Sequence, residues 1–113
     1  MTDMQGKTDS RRAKIEAMLR DDPGDMFLRY SLALEMESAG ESDGSLEILE
    51  ALARETPAYV PAFHMAGRQL VALGRIEDAR RALREGIEEA RRQGNAHAAG
   101  EMGELLMSLG TTP

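Results

Sequence analysis

The chain has 113 residues, which is the length of one domain. Its net charge of −6, from 14 basic and 20 acidic residues, argues against binding to nucleic acid or to an anionic membrane surface. No cysteine is present, so disulfides and cysteine-based metal sites are excluded and a reducing, cytoplasmic location is expected. The sequence has no 18-residue apolar run, and residues 1–14 lack an apolar segment, so we expect neither a transmembrane helix nor a signal peptide.

The first predicted element is a helix over residues 10–21. Residues 1–9 are polar and predict a disordered tail. In the helix that follows, Ile15, Met18 and Leu19 fall on one side at helical spacing. This apolar side indicates that the helix packs against a neighbour.

A second helix is predicted to begin after Asp25, because aspartate favours the N-cap position. It is predicted to end at Gly40, since glycine adopts the left-handed backbone of a helix stop without strain. One row of its large side chains, at helical spacing, consists of Phe27, Tyr30 and Leu34.

Four helices follow in the remaining sequence. The third stops before Pro57, because the residue preceding a proline disfavours helical backbone. The fourth has Pro61 in its first turn, where a missing N–H matters least, and ends at Gly74. The fifth runs to about Gln93, and the sixth is predicted over 95–109.

The sequence repeats with a period of 34 residues. A shift of 34 places Pro23 on Pro57 and Gly40 on Gly74. Prolines and glycines in register are informative because they mark the ends of helices. Each unit therefore consists of a first-type helix, a turn and a second-type helix. The predicted organisation is a single domain over 10–110, with a second-type helix at 10–21, repeats at 26–57 and 60–93, a first-type helix at 95–109, and a tail at 111–113.

The last helix fits the register after a two-residue insertion between the units. Gly103 then takes the place of Gly67, and Leu106 that of Leu70. Together with Ala33, these glycines predict that helix backbones approach one another closely.

This pattern resembles the tetratricopeptide repeat, whose 34-residue unit has large apolar, glycine, alanine and proline residues at fixed offsets. The matching residues are Leu32, Ala33, Met36, Gly40, Ser45, Leu49 and Pro57 in the first unit, and Phe63, Ala66, Gly67, Leu70, Gly74, Ala79 and Leu83 in the second. The resemblance implies an all-α fold, a right-handed superhelix of antiparallel helix pairs with six helices. The chain departs from the family at Ser45 and Gly86, where alanine is usual, and at Arg91, where proline is usual.

In that family the first-type helices line a concave groove that holds a partner. The resemblance implies that the groove residues here include Phe27, Tyr30, Leu34, His64, Arg68 and Met107. Aromatic and arginine side chains are frequent anchors of protein interfaces. We therefore expect a module that binds a peptide or a partner protein, with no cofactor, no metal and no catalytic activity.

Three other interpretations stay open. Phe27 and Tyr30 lie one helical turn apart, which is also typical of a core pair. The last helix has no second-type helix after it, so its apolar residues, Leu105, Leu106, Met107 and Leu109, predict a contact that forms a homodimer. His64 and His97 would suit an enzyme or a metal protein, but their spacing matches no metal motif.

Five arginines lie on the fifth helix: Arg80, Arg81, Arg84, Arg91 and Arg92. Acidic residues are interleaved with them, which predicts a solvated face with ion pairs four residues apart, such as Glu77–Arg81 and Glu88–Arg92. A docking surface for an acidic partner is the alternative.

Overall fold

The computed structural model describes the backbone of residues 3–110 and the side chains of residues 10–110. This part of the chain forms six α-helices and no β-strand, which confirms the all-α prediction. The helices are α1 (Asp3–Asp21), α2 (Met26–Ser38), α3 (Ser42–Ala53), α4 (Val60–Ala72), α5 (Ile76–Arg92) and α6 (Ala96–Ser108). None of these helices combines the length and the apolar character that crossing a membrane requires.

The helix α1 begins earlier than the sequence predicted. Its helical backbone starts at Asp3, so the disordered tail predicted over 1–9 is wrong for residues 3–9. A formed helix extends by one residue at little cost, and this extension needs no apolar periodicity. The first two residues of the predicted tail, and the tail predicted over 111–113, lie outside the described residues.

The helix ends are set by the residues predicted to set them. Asp25 caps α2, because its Oδ1 accepts a 2.8 Å hydrogen bond from the backbone N–H of Leu28. Gly40 and Gly74 have φ of 84° and 78° and end α2 and α4. The turns at these two glycines and at Gly94 are each closed by the same two backbone hydrogen bonds. The glycine N–H donates to the carbonyl three residues earlier, and the next N–H donates to the carbonyl five residues before it, which is a Schellman motif.

The chain forms two compact units, Met1–Leu52 and Ala53–Pro113. The single domain predicted over 10–110 stays a prediction. In the first unit α1 packs against α2, and Arg11 Nε lies 3.2 Å from Glu35 Oε2 across the two helices.

A buried hydrogen bond ties α3 to α2. The hydroxyl of Ser45 donates a 2.7 Å hydrogen bond to the backbone carbonyl of Ala33, and both residues are fully buried. A Cβ built on Gly44 would overlap Met36 Cε, so the start of α3 meets the end of α2. The two helices are therefore antiparallel and closely packed.

An ion pair joins α1 to the start of α3. Arg12 Nη1 donates to Glu41 Oε2 at 2.7 Å, and Nη2 donates to Oε1 at 3.1 Å. The hydrogen bond from Arg12 holds the pKa of Glu41 below its usual range. This two-pronged geometry is the one that the guanidinium fork favours with a carboxylate.

The second unit packs α4, α5 and α6 around one core. A Cβ built on Gly67 would lie 2.6 Å from Leu83 Cδ2, and one built on Gly86 would lie 2.5 Å from Phe63 Cβ. The early part of α4 therefore meets the late part of α5, and the two helix middles meet at Gly67 and Leu83, as in an antiparallel pair. The buried residues of this core are Val60, Phe63, Leu83, Ala90, Ala99 and Met102.

Of the three small residues at which a close approach of helices was predicted, two are covered by neighbouring residues. Ala33 is fully buried, and Gly67 lies against Leu83. The prediction is wrong for Gly103, since a Cβ built there would meet no atom within 4 Å. The difference arises because α5 covers Gly67, whereas no described helix follows α6 to cover Gly103.

The predicted solvated face of α5 is wrong for Arg80, which is only 6% exposed. Its Nη2 donates to the backbone carbonyls of Leu109 at 3.0 Å and Gly110 at 3.2 Å, at the end of α6, and its Nη1 pairs with Glu77.

The two ion pairs predicted on α5 have different outcomes. Arg81 pairs with Asp78 at 3.4 Å and not with Glu77, so that prediction is wrong. The contact between Glu88 and Arg92 is present at 3.8 Å.

Candidate functional site

The first unit carries three of the predicted groove residues, all on α2. Phe27, Tyr30 and Leu34 follow one another at intervals of three and four residues, so they share one face of the helix. Phe27 is 65% exposed, whereas Tyr30 and Leu34 are half-buried. The core interpretation is therefore wrong for Phe27. The face offers an aromatic side chain to solvent at the first turn of the helix.

The second unit carries the other three, on α4 and α6. Both helices pack against α5, and they also contact one another. The helices α4 and α6 therefore form one layer, and α5 forms a second layer against it. His64 and Arg68 are four residues apart on α4, and Met107 lies near the end of α6. His64 is half-buried, Arg68 is exposed, and Met107 is 81% exposed.

The α6 part of this layer is open and mostly polar. Besides Met107, its exposed residues include His97, Gly100, Glu101 and Glu104. A Cβ built on Gly100 would meet no atom within 4 Å, so the α6 backbone is accessible at that point. The layer thus combines one long apolar side chain, two carboxylates and, on α4, one guanidinium. These groups suit hydrogen bonds and small apolar contacts with a polypeptide.

The two histidines do not come together in one ligand set. His97 Nε2 lies 3.3 Å from Glu101 Oε2, one helical turn away on the surface of α6. No group of three or more histidine, aspartate or glutamate side chains converges as metal ligands within the described part of the chain. What this layer offers chemically is a set of contacts for a partner.

The four apolar residues of the last helix that were predicted to form a homodimer contact differ in their exposure. Leu105, Leu106 and Leu109 are half-buried against the core of the second unit, and Met107 alone of the four is exposed. Glu101, which the sequence did not predict as a contact residue, is exposed on the same helix. Its position four residues after His97, on the exposed face, was the signal that it belongs to this surface.

Comparison with known proteins adds to the repeat pattern and the six helices. A TPR repeat-containing protein of Pseudomonas aeruginosa is 27% identical over 95 residues, which cover 84% of this chain and 90% of that protein. No protein-family model matches the chain. The solution structure of a tetratricopeptide repeat domain protein from Salinibacter ruber is similar with a TM-score of 0.73 and 30% identity, over 78% of this chain and 89% of that one.

The chain belongs to the tetratricopeptide-repeat family. A crystal structure of a tetratricopeptide repeat domain protein from Salinibacter ruber agrees, with a TM-score of 0.68 and 29% identity over 75% of this chain and 94% of that one. The fold is thus one that serves as a protein–protein interaction module.

Two departures from the usual tetratricopeptide repeat have a physical explanation in the structure. At Gly86, in place of alanine, an added Cβ would lie 2.5 Å from both Phe63 Cβ and Met102 Sδ, so only glycine fits where α4, α5 and α6 meet. At Ser45, also in place of alanine, the hydroxyl is used in the buried hydrogen bond to Ala33. Both substitutions therefore keep the helices close.

Proposed function

We propose that this tetratricopeptide-repeat protein binds a short segment of a partner protein through the outward faces of its first-type helices. The proposed contact residues are Phe27, Tyr30 and Leu34 on α2 in the first unit, and His64, Arg68 and Met107 on α4 and α6 in the second. The mechanism is burial of a few apolar side chains on a largely preformed surface, without catalysis, cofactor or metal. The cytoplasmic location expected from the sequence is part of the same proposal.

The observation that carries this proposal is the exposure of large apolar side chains. Four such residues are exposed among the described residues: Met18 (48%), Phe27 (65%), Leu73 (45%) and Met107 (81%). The two most exposed, Phe27 and Met107, fall at positions that the repeat register assigns to the groove. When a partner covers a large apolar side chain that is exposed to water in the free protein, the burial contributes favourable free energy to binding, and the contribution grows with the area covered.

The polar residues of the same faces suggest how a segment would be oriented. Arg68 on α4 favours a carboxylate or a backbone carbonyl of the partner, since guanidinium donates in a planar fork. Glu104 on α6 favours a basic or amide group. Methionine is flexible and adapts to different apolar surfaces, so Met107 supports moderate specificity. We expect a dissociation constant in the micromolar range, about −8 kcal/mol.

The test begins with selection of binding peptides from a displayed random library against the whole chain. The affinity of a selected, fluorescently labelled peptide is then measured by anisotropy for Phe27→Ala, Arg68→Ala and Met107→Ser. Each variant is expected to weaken binding by about tenfold, which corresponds to roughly 1.4 kcal/mol.

Matched controls come from exposed residues outside the proposed contact. Leu73→Ser removes an exposed apolar side chain, and Arg92→Ala removes an exposed arginine on α5. Both are expected to leave the affinity within twofold of the wild type. If the control variants weaken binding as much as the three contact variants, or if the contact variants bind normally, the proposed contact is wrong.

A further inference from the structure

The arginines of α5 divide into two groups. Arg80, Arg81 and Arg92 each pair with a carboxylate of the same helix. Arg84 and Arg91 are exposed and make no ion pair or hydrogen bond with the described residues. These two lie seven residues apart, which is two helical turns, so both guanidinium groups extend from one side of α5.

The two unpaired arginines border a surface hollow. Arg84, Ile87, Glu88 and Arg91 line it, and its volume is about 380 Å³. Ile87 is half-buried and packs against the core of the second unit, so it forms an apolar floor. A floor of this kind between two free guanidinium groups is suited to an apolar side chain flanked by carboxylates.

An open stripe of α6 lies at the end of the same unit. In α4, the stripe formed by Phe63, Gly67 and Leu70 packs against α5, and Leu83 fills the space over Gly67. The repeat register places Ala99, Gly103 and Leu106 at the same positions of α6, where Ala99 is buried in the core, Leu106 is half-buried against it and Gly103 is the open position of the stripe. The space over Gly103 is empty to 4 Å, and no second-type helix follows α6 within residues 3–110.

We propose that the hollow of α5 and the open stripe of α6 together form a seat for an amphipathic helix of a partner protein, with carboxylates along one flank. The apolar side of that helix covers Gly103 as Leu83 covers Gly67. Its carboxylates pair with Arg84 and Arg91, which form no ion pair within the described residues, although Glu88 lines the same hollow. The seat involves neither α2 nor the outward face of α4, so it goes beyond the function proposed above.

Two labelled synthetic peptides test this seat. Each is a helical peptide of about 20 residues, with leucines on one side and, along the flank, glutamates in one peptide and lysines in the other. Circular dichroism establishes that both are equally helical. The glutamate peptide is expected to bind the whole chain at least about tenfold more tightly than the lysine peptide, and more weakly as the salt concentration rises.

Variants of the chain locate the binding. The double variant Arg84→Glu and Arg91→Glu is expected to weaken binding of the glutamate peptide by about tenfold. The matched control is Arg81→Glu with Arg92→Glu, which makes the same charge change on the same helix at exposed, paired positions. The control is expected to change the affinity less than threefold.

A second pair of variants tests the α6 half of the seat. Gly103→Gln fills the open stripe, and Gly100→Gln places the same side chain on the outward face of α6, where there is also no atom within 4 Å. Only Gly103→Gln is expected to weaken binding.

Three outcomes would overturn the proposal: equal binding of the two peptides, equal loss from the matched variants, or no binding. Analytical sedimentation of the chain without peptide tests the remaining possible occupant, which is a second copy of this chain. Self-association that Arg84→Glu with Arg91→Glu abolishes would assign the seat to a second copy of this chain and not to an acidic partner helix.

Discussion

Arg80 is the residue whose removal gives the sharpest test of the second unit. Its buried guanidinium group donates to the carbonyls of Leu109, the C-cap of α6, and of Gly110, the residue after it. Carbonyls at the end of a helix have no intrahelical donors, so Arg80 supplies donors that the helix itself does not. Arg80→Met keeps an unbranched apolar side chain in the same volume and removes the donors.

The expected change in the free energy of unfolding depends on the hydrogen bonds that the two carbonyls lose and on how far water replaces them. Hydrogen bonds that involve a charged group contribute about 1.5–3 kcal/mol each when buried. Gly110 is exposed, so water replaces part of this loss, and removing a buried charge also removes its desolvation cost. Glu77 is exposed and loses little. We expect a net loss of about 1.5–2 kcal/mol, or roughly 6–10 °C in melting temperature.

Thermal unfolding followed by far-ultraviolet circular dichroism measures the total loss, and hydrogen exchange locates it. Exchange is expected to accelerate first in the last turn of α6. The matched control is Arg81→Met, because Arg81 is 68% exposed and its pair with Asp78 contributes little. If the Arg80→Met protein has the melting temperature of the wild type and the same hydrogen-exchange rates in α6, Arg80 does not stabilise this helix end.

Further predictions concern glycine packing and acid stability. Gly67→Ala is expected to destabilise the chain by about 1–2 kcal/mol, because the new Cβ meets the buried Leu83. Gly103→Ala, which meets nothing, is expected to stabilise it by about 0.5–1 kcal/mol through helix propensity, and equal urea midpoints for the two would contradict this packing. Arg12 lowers the pKa of Glu41, so this carboxylate contributes stability above its unfolded-state pKa and loses it as the pH falls through the folded-state value. Glu41→Gln is therefore expected to shrink the difference in melting temperature between neutral and acid pH, and an unchanged difference would refute it.

The helix boundaries were predictable because they depend on local chemistry. Pro57, Gly40 and Gly74 act on the backbone within a few residues, and Asp25 acts on the first turn of its own helix. The period of 34 then revealed which helices are equivalent. The beginning of α1 was not predictable in this way, because residues 3–9 have neither a cap nor an apolar pattern.

The sequence predicted which candidate site residues share a helix face, but it did not predict which of them are exposed to solvent. Helical spacing groups Phe27 with Tyr30, and His64 with Arg68, from the sequence alone. Whether an apolar residue faces solvent depends on tertiary neighbours, so the core alternative for Phe27 could be decided only with coordinates. The same limit explains Arg80 and Arg84, which are alike in sequence and are separated by whether the end of α6 lies over them.

The glycine-closed turns have a consequence for how such a chain can grow. Gly40, Gly74 and Gly94 each reverse the chain through two hydrogen bonds that involve only the residues of the turn itself. The direction in which the following helix departs is consequently a local property, independent of its sequence. Duplication of the segment between Gly40 and Gly74 would therefore insert a further helix pair that begins and ends at an existing type of turn. Such a protein can be lengthened by duplication and shortened by deletion without a new kind of connection.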